Sequence, residues 1–296
     1  MVNQIKEQAV KKSERVRILI SCQDQPGIVA AVSQLLYQNG GNIVQSDQHT
    51  TDPIGGMFFM RIEADIHDFE LNKQKITQEF QHLAKQFSLN WRMERASKKK
   101  QLAIFVSKED HCLLELLWQQ KAGHLDAEFA LVISNHPDVR EIVEEMDIPF
   151  YHFPVKANNK QEIENLQIEL IQKYQVDVIV LARYMQILSA EFTKTFPNQI
   201  INIHHSFLPA FIGANPYARA YDRGVKLIGA TAHYVTNELD EGPIIEQDVQ
   251  RVNHRDQLDD LKKIGKYIER TVLAKAVKWH VEDRVLAYGN KTIVFS

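Results

Sequence analysis

Apolar residues recur along the chain with two different periods, and the pattern changes near residue 95. Before that point Val16, Ile18 and Ile20 alternate with polar positions, as in a half-buried strand. Asp24-Gln25-Pro26-Gly27 then turns into a segment whose apolar positions Ile28, Val32, Leu35 and Leu36 share one helical face, and Gly40-Gly41-Asn42 stops it. Two strands are expected at about residues 43–50 and 56–64, around the turn Asp52-Pro53-Ile54-Gly55. Ile76, Phe80, Leu83 and Phe87 stand at helical spacing, and Leu89, Trp91 and Met93 alternate again. The order βαββαβ predicts a split βαβ sandwich, a ferredoxin-like α+β unit with helices on one face of an antiparallel sheet.

The basic stretch Arg95-Ala96-Ser97-Lys98-Lys99-Lys100 carries no apolar period and is read as a linker, so the expected division is 1–94, 95–100 and 101–296. Beyond it, residues 102–106, 130–133, 176–181 and 200–203 are short apolar runs separated by helical segments. That is the signature of a doubly wound, mostly parallel α/β sheet of Rossmann-like type. Two more strands, about 227–235 and 244–252, precede a long helix. Asp256 is its expected cap, and Leu258, Leu261, Ile264 and Ile268 form its buried side. Residues 285–288 and 292–295 read as a small hairpin.

Composition narrows the function classes. With 296 residues, two domains are the natural expectation. The formal net charge of −3 offers no electrostatic reason for a nucleic acid or membrane partner. No apolar run approaches the roughly 20 residues of a membrane helix. The polar N-terminus does not read as a secretory signal, and Cys22 and Cys112 lie far apart, so a reducing cytoplasm is expected. The cysteines make no metal-binding spacing and His-Glu-x-x-His is absent, so no metal is expected.

Chemistry concentrates late in the chain. Asn202 and His204 stand two apart at the end of an apolar run, so a strand would point both side chains the same way. Asp240 follows from the loop Asp240-Glu241-Gly242-Pro243. Amide, imidazole and carboxylate at one strand end are parts suited to moving an acyl group. Strand alternation sends His205 to the opposite face, where packing or hydrogen bonding is expected. His233 ends another strand near the site, where ordering Asp240 or a water and a purely structural role are equally open.

Taken together, Asn202-Ile203-His204, Leu208-Pro209, Gly229-Ala230-Thr231-Ala232-His233 and Asp240-Glu241-Gly242-Pro243-Ile244-Ile245 resemble the signature of folate-dependent formyltransferases, and within them the formyltetrahydrofolate deformylases. Gln25-Pro26-Gly27-Ile28 and Gly41-Asn42-Ile43 resemble an ACT domain, a module these deformylases carry ahead of a formyltransferase-like domain. The stretches Val106-Ser107-Lys108-Glu109-Asp110-His111-Cys112 and Leu181-Ala182-Arg183-Tyr184-Met185-Gln186-Ile187-Leu188 fit the same family.

The resemblance implies a cytoplasmic hydrolase that splits 10-formyltetrahydrofolate into tetrahydrofolate and formate, balancing one-carbon units and supplying formate for purine synthesis. The folate is substrate, and no separate cofactor is implied. Asn202, His204 and Asp240 are the implied catalytic residues. Tyr184, Met185, Ile187, Leu188 and His233 are expected to bind substrate, the apolar loop lining the slot for the flat pterin. In the ACT unit Asp24, Gly27 and Asn42 are expected to border an effector site for an amino acid, with homo-oligomers formed through this domain; pure turn roles for the glycines are equally open.

The turn Ser107–Cys112 has no glycine and carries two carboxylates, which disfavours a phosphate-bearing acceptor amine and favours water. Two positions depart from the deformylase pattern: Asn215 stands where a cation is usual and Ala218 where a histidine is usual. Their loop is expected to border the substrate. The alternatives are a formyltransferase to an unidentified amine and a non-catalytic folate- or effector-binding regulator.

Overall fold

The computed structural model describes residues 13–52, 54–210 and 215–296, so Pro53 and the Gly213-Ala214 part of the loop before Asn215 lie outside the described residues. The chain divides into two compact units after Lys98.

The first unit runs β1 (Ser13–Gln23), α1 (Ile28–Gln38), β2 (Gly41–Thr50), β3 (Met57–His67), α2 (Phe69–Phe87) and β4 (Asn90–Arg95). Its sheet is ordered β2-β3-β1-β4, with β1 antiparallel to both β3 and β4. Alternation puts Val16, Ile18, Ile20 and Cys22 on one face of β1. There they pack with Ile28, Val32 and Leu36 of α1 and Ile76 and Phe80 of α2. Strand β4 runs to Arg95 and β5 begins at Lys100, so of the stretch expected to be a six-residue linker the two ends are strand and the four residues 96–99 connect them.

The second unit runs β5 (Lys100–Val106), α3 (His111–Lys121), β6 (Ala127–Ser134), α4 (Arg140–Glu144), β7 (Phe150–His152), α5 (Lys160–Lys173), β8 (Val178–Leu181), α6 (Ala190–Thr195), β9 (Ile200–His204), α7 (Pro216–Arg223), β10 (Leu227–Tyr234), β11 (Ile244–Arg251), α8 (Leu258–Val281), β12 (Val285–Tyr288) and β13 (Lys291–Val294). The large sheet is ordered β11-β10-β9-β8-β5-β6-β7. Strands β5 to β9 are parallel, whereas β10 pairs antiparallel with β9 and β11. Strand order reverses between β5 and β8, and such switch points open a crevice at the carboxyl ends of the strands. β7 is only three residues long, too short to leave an apolar run in the sequence.

Helix α8 starts one residue later than expected. Gln257 is the cap, closing a reciprocal capping box with Asp260. Asp256 instead accepts a hydrogen bond from the Asn253 backbone N–H at 2.7 Å. Leu261 and Ile268 are fully buried in the core of this unit, with Leu258 and Ile264 half-buried against it.

Candidate active site

The carboxyl ends of β8 and β9 and the start of β10's exit loop enclose a cavity of about 280 Å³. Each wall has a local cause. Ser107, just past β5, accepts from the Met185 N–H at 2.9 Å and donates to Asn135 Oδ1 at 2.6 Å. Its own N–H donates to the Arg183 carbonyl, so the loop after β8 is anchored to the end of β5. That loop presents Met185, Gln186, Ile187 and Leu188 to the cavity. Met185 and Ile187 are 57% and 63% exposed and form apolar lips at the mouth of the cavity. Tyr184 also lines the cavity but is mainly core. It is buried, its ring meets Phe105 edge-on at 5.2 Å, and its hydroxyl accepts from Gln167 at 3.3 Å. The opposite wall, Val235 to Leu239, carries no motif that sequence reading singled out.

Register places the polar floor. On the antiparallel β9–β10 pair, Asn202 lies directly opposite His233. Asn202 Nδ2 is 3.2 Å from His233 Nε2, and His233 Nδ1 is 3.0 Å from the Tyr234 carbonyl. A carbonyl only accepts, so His233 carries its proton on Nδ1 and its Nε2 accepts from the Asn202 amide. Burial lowers the His233 pKa, against the hydrogen bond to Tyr234 and the nearby Asp240 charge, which keeps this ring neutral at pH 7. His233 is thus part of the site, where it orients Asn202.

Asp240 closes the ring of contacts. Its Oδ2 lies 3.2 Å from His204 Nδ1, and its Oδ1 is 3.7 Å from His233 Nε2. Burial raises the Asp240 pKa, but the His204 hydrogen bond and the other electrostatic influence of the surrounding histidines outweigh it, so the group stays below the ordinary carboxylate value. The backbone that delivers it is tightly constrained. Asp240 has φ 58°, and a Cβ on Gly242 would come within 1.8 Å of the Tyr234 carbonyl oxygen. Only glycine permits that approach, and the Tyr234 N–H then bonds the Pro243 carbonyl at 2.9 Å. His204 Nε2 is buried and has no hydrogen-bond partner among the described residues, although its ring lines the cavity. An orphaned donor or acceptor of this kind is costly unless a ligand atom meets it.

Two expectations are corrected. His205 does not turn away from His204. Strand β9 ends at His204, so alternation no longer governs the next residue, and the two rings lie 5.4 Å apart. His205 lines the cavity as well. Burial, followed by the Arg183 charge, pushes its pKa down to about 4. Asn215 and Ala218 do not border the 280 Å³ cavity. They line a separate cleft on the far side of His205, where Asn215 caps α7 in the left-handed conformation that asparagine tolerates.

That cleft adjoins a buried cluster that sequence reading missed. The Glu269 carboxylate, 1% exposed, lies 2.8 Å from His111 Nε2 and 3.3 Å from Arg183 Nε. It also accepts from the Tyr217 hydroxyl at 2.5 Å. Gly265 makes room for the Tyr217 ring, since a Cβ there would come within 2.1 Å of its oxygen. Burial raises the Glu269 pKa, but the bonds from His111 and Tyr217 and the Arg183 charge bring it down to about 2. His111, Cys112 and Glu269 bring ligand-type atoms within 4.8 Å of one another. The donor set is poor for a metal. Burial and Glu269 hold Cys112 as the thiol, and Glu269 is already bound to three partners.

In the first unit, Asp24 and Gly27 stand at the turn into α1, and Gly27 takes φ 96° as the α1 cap. Asn42 is an exposed residue of β2 paired with Asp65. The groove found on this unit runs elsewhere, between α1 and α2 at Gln34, Gln38, Lys75 and Glu79.

Comparison with known proteins agrees with this architecture. The ACT domain profile matches residues 16–81, and the formyl transferase profile matches residues 100–277. A formyltetrahydrofolate deformylase of Bacillus subtilis (strain 168) is 57% identical over 296 residues, covering 100% of this chain and 99% of its own. The crystal structure of a formyltetrahydrofolate deformylase from Pseudomonas syringae pv. tomato str. DC3000 superposes with a TM-score of 0.92 at 46% identity, covering 97% of this chain and 96% of that one. Glycinamide ribonucleotide transformylase 1 from Symbiobacterium toebii matches 68% of this chain and 97% of its own, with a TM-score of 0.65 at 28% identity. The full-length match, ACT unit included, places the chain in the formyltetrahydrofolate deformylase family.

Proposed function

We infer that the chain hydrolyses 10-formyltetrahydrofolate to tetrahydrofolate and formate. The observation that carries the mechanism is the ring of contacts Asn202–His233–Asp240–His204 on the floor of an apolar-walled cavity, with the buried His204 Nε2 unpartnered.

The pterin enters between the Met185–Leu188 loop and the wall at Val235 to Leu239, which brings the N10 formyl group to the floor. Water attacks the formyl carbon, and the carbonyl oxygen takes up negative charge. The Asn202 amide proton not bound to His233 stabilises that oxygen, and His204 Nε2 supplies the second polar contact. Removing a donor of this kind typically slows a reaction by ~10²–10³. Asp240 accepts the proton of the attacking water. The bond from carbon to N10 breaks as His204 gives its Nε2 proton to N10; formic acid returns a proton to His204 and departs as formate, and Asp240 releases the water's proton to solvent. No step is routed through a metal.

Water is favoured over an amine by the turn after β5. Its Glu109 side chain meets Lys266 and its His111 meets Glu269, so carboxylates stand where an acceptor phosphate would need donors. Purified protein given 10-formyltetrahydrofolate without any amine is expected to release formate over many turnovers. Turnover only after an amine is added would favour the transferase reading, and binding without turnover the regulator.

The ACT unit supports a regulatory proposal. Asp24, Gly27 and the first N–H groups of α1 make a surface suited to the carboxylate of an amino acid, with Asn42 at the neighbouring strand entry, and this unit pairs copies of the chain. Titrating amino acids one at a time is expected to change hydrolysis for at least one of them, and to shift the sedimentation of the protein. Indifference of both rate and association would remove the proposal. Among the described residues no helix is long and apolar enough to cross a membrane. We place the enzyme in the cytoplasm, where its formate would serve purine synthesis.

A further inference from the structure

Hydrolysis has a second product besides tetrahydrofolate, the formate anion, which must leave the floor of the folate cavity. Beyond His205 lies a cleft of about 550 Å³, distinct from the 280 Å³ cavity. The two share two wall residues, Arg183 and His205.

Arg183 is unusual in three independent ways. It has φ 64°, a conformation that strains a non-glycine residue and that gathers at functional sites. Its side chain is only 13% exposed, and its Nε lies 3.3 Å from Glu269. Its Nη1 is buried with no hydrogen-bond partner among the described residues. The other cations of the cleft are already engaged: Lys266 with Glu109, Lys262 with Asp259 at 3.0 Å and Lys263 with Asp260 at 3.6 Å. A buried guanidinium with a free N–H, placed between the reaction site and an open cleft, suits a small carboxylate.

We propose that the cleft beyond His205 is the route by which water reaches the formyl carbon and formate leaves, and that Arg183 Nη1 holds the formate on its way out. While the pterin fills the mouth at Met185 and Ile187, the far side of His205 stays open. Glu269 anchors Arg183 at Nε and leaves Nη1 without a hydrogen-bond partner among the described residues. The proposal rests on hydrolysis at Asn202, His204 and Asp240, which acceptor-free turnover of the wild-type protein tests separately.

Two variants test the route. Formate is expected to inhibit the wild-type enzyme, and Arg183→Gln to weaken that inhibition by about tenfold or more, the loss of one charge-assisted hydrogen bond. Arg183→Lys should recover part of the inhibition. Ala218→Trp, which narrows the cleft from α7 and replaces none of Glu269's partners, decides the matter should Arg183→Gln fail to fold. It is expected to make product release limiting, lowering kcat and KM together by about tenfold and producing a burst of one tetrahydrofolate per site. If wild-type turnover is normal, the route is overturned by either of two results. One is formate inhibition that is absent in the wild type or unchanged in a folded Arg183→Gln. The other is an Ala218→Trp protein with wild-type kcat or no burst.

Discussion

Replacing Asp240 by Asn is expected to lower kcat for 10-formyltetrahydrofolate hydrolysis by ~10²–10⁴ while leaving substrate binding nearly intact. The amide keeps the size of the carboxylate, so the loop held by Gly242 and Pro243 has no steric reason to move. The ability to take a proton from water is lost, as is the charge facing His204 Nδ1 at 3.2 Å. Because Asp240 sits below the ordinary carboxylate value, the wild-type enzyme should keep its base ionised well into the acid range. The acid limb of its kcat profile is therefore expected below the usual aspartate pKa, and it should vanish in Asp240→Asn. Stopped-flow kinetics across pH, with folate binding measured in parallel, reads both effects. A kcat within a factor of about three of wild type would remove Asp240 from the catalytic set.

The largest effect on stability is expected at Glu269. Deleting its carboxylate with Glu269→Ala leaves Arg183 and Tyr217 with buried polar atoms and no anion between them, a change that typically costs about 3–5 kcal/mol. Acid should reveal the same linkage in the wild type. A carboxylate held down to about 2 from the ordinary 4.5 binds fewer protons folded than unfolded. Its contribution, roughly 3 kcal/mol for a shift of this size, is complete above the unfolded value and fades as pH falls from about 4.5 toward 2. Urea unfolding at pH 7 and near pH 3 checks both. Glu269→Gln should show a smaller loss of stability across that window than the wild type. Equal acid sensitivity in the two proteins would mean that the cluster contributes nothing through its charge.

Both units were legible as elements because their apolar periods differ, 2 and 3.6 in the first and short buried runs in the second. The Asn202–His204 pair was legible for the same reason: its spacing of two survives as a shared face at a strand end. What escaped reading depended on register and on residues distant in sequence. His233 was expected near the site, but its bond to Asn202 follows from antiparallel pairing that no local pattern states. The rings of His204 and His205 meet because β9 stops between them, and strand ends are the least visible boundaries in a sequence. The Glu269 cluster joins residues 111, 183, 217 and 269, each of which reads alone as an ordinary helix or loop residue. A Glu flanked by apolar residues on the buried side of α8 was the one available hint.

The central claim is that His204 and Asp240 act on the formyl group as one unit, and a double-mutant cycle tests it most directly. His204→Ala and Asp240→Asn are each expected to lower kcat strongly, and the double variant should be scarcely slower than the slower single one. Losses that multiply in the double variant would show that the two side chains act independently and would contradict the account.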